Sequence, residues 1–135
     1  MFQGIRRIAP ERLYVSQLYI SETKLLAVQS WLTPDGRHRC EPLPVHDFGD
    51  GCLTLTDGHT RAMALLLQGL MCPVRYDDDV IVTEPEGLKA YRTAIGWCRE
   101  AGVYTVADLR GRILGEEQYQ ALWIERCRRA FSAMA

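Results

Sequence analysis

The 135-residue chain is 47% hydrophobic and 24% charged, and its 16 Lys and Arg against 17 Asp and Glu leave a formal charge of −1. That length supports one domain whose core removes about two-thirds of the unfolded surface from water. The balanced charge excludes a disordered polyelectrolyte and a global basic field that would attract nucleic acid. Its apolar runs fall short of the roughly 20 residues of a membrane-spanning helix. Met1 to Arg7 carry no apolar signal segment, so the expected compartment is the cytoplasm.

Five cysteines (Cys40, Cys52, Cys72, Cys98, Cys127) are odd in number and never spaced C-x-x-C, which reads as reduced thiols. The three histidines, His38, His46 and His59, lack H-x-x-x-H or H-x-H spacing, so no zinc site is expected.

In chain order, residues 4 to 8 and 13 to 15 read as short extended pieces around Ala9-Pro10. Ser21 is a suitable N-cap for a helix over residues 24 to 32, with Leu25, Val28 and Leu32 on one face. Thr33-Pro34-Asp35-Gly36 reads as a turn, followed by a polar loop over residues 37 to 42. Residues 43 to 48 and 52 to 56 form the arms of a hairpin through Gly49-Asp50-Gly51. A helix over residues 60 to 68 ends at Gly69, and a strand follows at residues 72 to 76. Asp77-Asp78-Asp79 is read as an exposed loop, with no convergence on a metal.

The last third reads as helical. Pro85 opens a helix to Glu100 that Gly102 closes, with Leu88, Tyr91, Ile95 and Cys98 as its buried stripe. Thr105 caps a short helix to Leu109. Residues 115 to 131 form the last helix, with Tyr119, Leu122, Trp123, Cys127 and Ala130 facing inward.

The chemistry concentrates between the second hairpin strand and the helix after it. The chain turns through Asp57-Gly58-His59 and enters the helix at Thr60-Arg61. A strand that feeds through glycine into a helix leaves backbone N–H groups without intrahelical partners, at the positive end of the helix dipole. That corner suits an anion, and the Arg61 fork matches phosphate or carboxylate oxygens. The competing reading is architectural: glycine turns the chain and Asp57 caps the helix.

Pro10-Glu11-Arg12-Leu13, the helix from Ser21, the hairpin into Leu55-Thr56-Asp57-Gly58-His59-Thr60-Arg61-Ala62, and Pro73-Val74 together resemble the ParB/sulfiredoxin superfamily over residues 5 to 79. The resemblance implies a small α/β (α+β) fold, a mixed sheet packed by helices over residues 1 to 84. Residues 85 to 135 would be a C-terminal helical extension packed on it as one unit. It further implies a nucleotide or other phosphate ligand held at the loop–helix junction by Gly58, His59, Thr60, Arg61 and Lys24. ATP, ADP or CTP with Mg are the implied cofactors. Catalytic roles would fall to Asp57, which orients, and His59, which moves a proton in phosphotransfer or nucleotide hydrolysis.

Superfamily members include ParB partition proteins that bind and hydrolyse CTP, sulfiredoxins that use ATP, and kinases of free serine. His59 stands where sulfiredoxins carry their reactive cysteine, so their thiolate chemistry is not expected here. Lys24 falls where sulfiredoxins place a nucleotide-contacting lysine. Gly58-His59-Thr60-Arg61 replaces the G-E-R-R of ParB proteins. The D-G-H-H-R of the serine kinases differs only at Thr60, yet Gln17 stands where they carry a catalytic glutamate, and an amide is no general base. Two other readings remain: a ParB-like DNA-binding module with a helix-turn-helix within residues 86 to 132, and a non-catalytic regulatory adaptor. Membrane partners are not expected.

Overall fold

The computed structural model describes residues 1 to 132. It is an α+β fold built on a mixed four-stranded sheet of order β1-β5-β3-β4. Strand β1 (Ile5–Ile8) runs antiparallel to β5 (Cys72–Tyr76), which lies parallel to β3 (Leu43–Asp47). Strand β4 (Leu53–Leu55) returns antiparallel to β3, so the expected hairpin forms, with Asp47 Oδ1 accepting from the N–H groups of Gly49 and Gly51.

Helix α1 (Glu22–Gln29) begins where Ser21 Oγ accepts the Lys24 N–H at 3.3 Å. It stops at Ser30, earlier than the periodicity implies. Leu32 continues into the core as part of the following turn, fully buried. Helix α2 (His59–Leu67) buries Ala62, Met63, Ala64, Leu65 and Leu66, a nearly all-apolar segment that runs through the centre of the molecule. Leu13, Ile20, Leu43, Val45, Leu55 and Val74 surround it.

Helix α3 (Val80–Thr83) is a single turn and α4 (Pro85–Glu100) a long one, closed through Ala101 and Gly102. Ile95 and Cys98 of α4 are buried, while Leu88 and Tyr91 lie half-exposed at a small second cluster with Phe48 and Val82. The last helical stretch is interrupted: α5 (Glu116–Tyr119) passes through a π turn (Gln120–Ile124) into α6 (Glu125–Ser132). The π turn rotates the face, so Tyr119 and Trp123 are buried but Leu122, expected inside, is 47% exposed.

Three expectations are corrected. Asp77 is buried, not a solvated loop acid: its Oδ2 accepts from Thr56 Oγ1 at 2.6 Å and its Oδ1 from the Asp79 N–H at 3.1 Å. Residues 106 to 112 coil as a 3₁₀ helix whose Leu109 is fully buried, capped reciprocally by Thr105 and Asp108. Ile113 and Leu114 then form β6, which pairs in parallel with β2 (Ile20–Ser21). That short strand interrupts the last third of the chain, which the sequence reads as helical throughout. The β2–β6 pair also ties the last third of the chain to the sheet-bearing part, and Val106, Leu109, Tyr119 and Trp123 share its core.

All five cysteines are free thiols. Among the described residues, no helix is long and apolar enough to cross a membrane.

Candidate functional site

Strand β4 ends at Leu55, and the chain reaches α2 through Thr56, Asp57 and Gly58. Gly58 is the N-cap of α2 and takes φ +81°, the left-handed region that a side chain disfavours. Space enforces glycine as well: a Cβ there would lie 2.9 Å from Leu43 Cδ2 and 3.0 Å from Arg61 Nη2. The bend is thus pressed against the sheet on one side and overlaid by the Arg61 guanidinium on the other.

Among the described residues, no side chain caps α2. The architectural reading of Asp57 as a helix cap therefore fails, and its carboxylate is exposed. The first intrahelical bond runs from the Ala62 N–H to the Gly58 carbonyl at 2.9 Å. The N–H groups of His59, Thr60 and Arg61 are left as the unpaired donors that open every helix. Arg61 is half-buried and, among the described residues, forms no ion pair with any acid. A half-buried guanidinium without a carboxylate partner favours an incoming anion.

Lys24 comes from α1, with its Nζ 5.7 Å from the centre of the Tyr119 ring. Lys24, Asp57, Gly58, His59, Thr60 and Arg61, the residues expected at the junction, all line one cavity of about 360 Å³. Its net lining charge is positive, since Lys24 and Arg61 face the single acid Asp57.

His59 departs from its expected role. It is only 4% exposed, and its Nε2 accepts the Ser16 N–H at 3.0 Å. Burial drives its pKa down from the usual 6.5 to about 4, opposed by the negative charge of Asp57. The ring is therefore neutral at physiological pH with its proton on Nδ1. The lone pair that a proton relay requires is already committed to the backbone, so His59 enters the site as a neutral wall and not as an acid or base.

Two wall residues escaped sequence reasoning. Gln17, read only as the place of a missing glutamate, donates from Nε2 to the Tyr19 carbonyl at 2.8 Å and to the Tyr119 hydroxyl at 3.1 Å. Tyr119, read as a core residue, closes the cavity across 102 positions of sequence. Burial raises its pKa to about 12, so it stays a neutral phenol. No local pattern marks such a wall, because a tyrosine on a buried helical stripe looks the same whether or not it borders a cavity.

Gln17, Asp57 and His59 also line a neighbouring cavity of about 340 Å³, walled by Tyr91, Ala94, Trp123 and Phe131 among others. Among the described residues, no group of three or more His, Cys, Asp and Glu side chains converges as a metal site. No family model matches the chain, and no curated protein matches it at significant similarity.

Proposed function

We propose that this protein binds a nucleotide or another phosphate-bearing ligand at the cradle formed by residues 57 to 61 and Lys24, in the manner that its likeness to the ParB/sulfiredoxin superfamily implies. One observation carries the reading: a half-buried Arg61 with no carboxylate partner among the described residues overlies an uncapped helix N-terminus at the wall of a 360 Å³ cavity. Backbone N–H groups of His59, Thr60 and Arg61 supply directional donors, and the Arg61 and Lys24 charges supply attraction.

Magnesium fits the donor set as a passenger of the ligand. Among the described residues, Asp57 is the only acid lining either cavity, and Mg²⁺ is commonly held by one or two carboxylates together with substrate phosphate oxygens. A phosphotransfer or hydrolytic step at this cradle would depend on Asp57, since the Nε2 lone pair of His59 is taken by the Ser16 N–H and Gln17 is an amide.

Thermal shift with ATP, ADP, CTP and inorganic pyrophosphate, each with and without Mg²⁺, tests the reading. A ligand at 100 times its dissociation constant stabilises the fold by about 2.7 kcal/mol. A clear rise in melting temperature for at least one phosphate compound, lost in a folded Arg61→Ala variant, supports it. No shift with any of them refutes it.

A further inference from the structure

Strand β1 lies at one end of the sheet, and β5 is its only strand partner among the described residues. The direction of its backbone groups follows from β5. The Asp77 N–H donates to the Val45 carbonyl of β3 at 2.6 Å, so by alternation Arg75 and Pro73 also turn toward β3. Cys72 and Val74 therefore turn toward β1, where they meet Ile8 and Arg6. The N–H and C=O groups of Ile5 and Arg7 are left pointing outward, along an edge that no described strand covers.

Ile5 and Arg7 also line a cleft of about 870 Å³, together with Arg37, Arg39, Leu70 and Met71. Arg7, Arg37 and Arg39 are exposed, and among the described residues none of them forms an ion pair. Glu41 is the only acid in the lining, so the cleft holds a positive excess in a chain of formal charge −1. It shows apolar surface as well: Ile5 is 64% and Met71 49% exposed, with Leu70 half-buried.

These features select among occupants. Pairing β1 with the β1 of a second copy brings Arg6 and Arg7 beside the same arginines, and like charges across strands repel. A nucleic-acid single strand needs aromatic faces for its bases, and among the described residues no Phe, Tyr or Trp lines the cleft. An extended acidic peptide meets every feature. Its backbone pairs with the open groups of β1, its carboxylates reach the arginine forks, and its apolar side chains cover Ile5, Leu70 and Met71.

We propose that β1 and this cleft take up an extended, acidic segment of a partner protein, which adds to the sheet as a further strand beside β1. The surface shares no lining residue with the phosphate cradle and does not rest on the phosphate reading.

Fluorescence anisotropy with a labelled Glu-Val repeat peptide tests the proposal, against a Gln-Val peptide of equal length and an oligothymidylate. The Glu-Val peptide is expected to bind at least tenfold tighter than the Gln-Val peptide, an advantage that shrinks as salt rises from 50 to 500 mM. Arg37→Gln and Arg39→Gln, made together at exposed positions, should weaken it at least tenfold. N-methylation of every valine, or of every glutamate, blocks one of the two alternating sets of peptide N–H groups. Only the set that faces β1 matters in strand addition, so one methylated peptide should lose at least tenfold and the other keep its affinity. Equal behaviour of the two methylated peptides, equal binding of the Gln-Val peptide, or unchanged affinity in the double variant overturns the inference. Tighter binding of the oligothymidylate overturns it in favour of nucleic acid. No binding of the Glu-Val peptide at 50 mM salt also overturns it, whatever the cradle binds.

Discussion

The backbone N–H of Ser16 donates to Nε2 of His59 at 3.0 Å, joining two segments 43 residues apart. This bond secures the loop before β2 to the first turn of α2, and it holds only while the imidazole is neutral. With a folded pKa of about 4 against an unfolded value near 6.5, the unfolded chain binds more protons between those limits. The stabilisation is complete above the unfolded value and fades as pH falls through 6.5 toward 4. Urea denaturation at pH 7 and pH 5 is expected to show a loss of about 2 kcal/mol from this group. His59→Gln should flatten that slope; an unchanged slope would contradict the neutral, bonded imidazole.

Gly58→Ala combines a disfavoured φ of +81° with a Cβ 2.9 Å from Leu43 Cδ2. About 2 kcal/mol or more of destabilisation is expected from strain and crowding together. Gly69→Ala is the control: its φ is +69° but nothing lies within 4 Å of the added carbon, so about 1 kcal/mol is expected. Chemical denaturation of both variants measures the difference. Equal losses would mean that the space behind Gly58 is larger than described.

Much of the junction was legible before the structure because its signals are local. Ser21 as a cap, Gly58 as a bend and Arg61 beside a helix start are properties of a few adjacent residues, and all take the expected places. The closing walls are non-local. Ile113 and Leu114 make a strand only because Ile20 and Ser21 offer an edge, and two residues carry no periodicity to announce it. Tyr119 borders the cavity beside Gln17, whose amide it meets across 102 positions of sequence. His59 looked like an acid–base group because its reactivity depends on burial and on a backbone partner from another segment, neither of which spacing reveals.

Asp77 and Asp78 are adjacent and chemically identical, yet they should respond oppositely. Asp77 is buried and accepts from Thr56 Oγ1 and the Asp79 N–H, whereas Asp78 is exposed. Asp77→Ala leaves the buried Thr56 hydroxyl with only the long 3.4 Å contact to the Pro44 carbonyl, removes the acceptor of the Asp79 N–H, and is expected to cost about 2 kcal/mol. Asp78→Ala should change stability by less than about 0.5 kcal/mol. Comparable losses in the two variants, measured by thermal and urea unfolding, would contradict the buried assignment.

Lys24 and Arg61 should contribute unequally to binding. Lys24 is exposed, and its charge is screened by solvent and salt, so Lys24→Ala is expected to weaken phosphate binding about threefold to fivefold. Its effect should shrink as salt rises from 50 to 500 mM, while the contribution of half-buried Arg61 persists. Calorimetric titration at the two salt concentrations separates them.

The most direct measurement is titration of inorganic pyrophosphate into the wild-type protein and into Arg61→Ala. Arg61 has no ion-pair partner among the described residues, so the variant should keep the wild-type stability within about 0.5 kcal/mol. Its affinity should fall about 10-fold to 100-fold, the worth of charge-assisted hydrogen bonds to a phosphate. Equal affinity in the two proteins, or no binding to either, would contradict an anion cradle at residues 57 to 61.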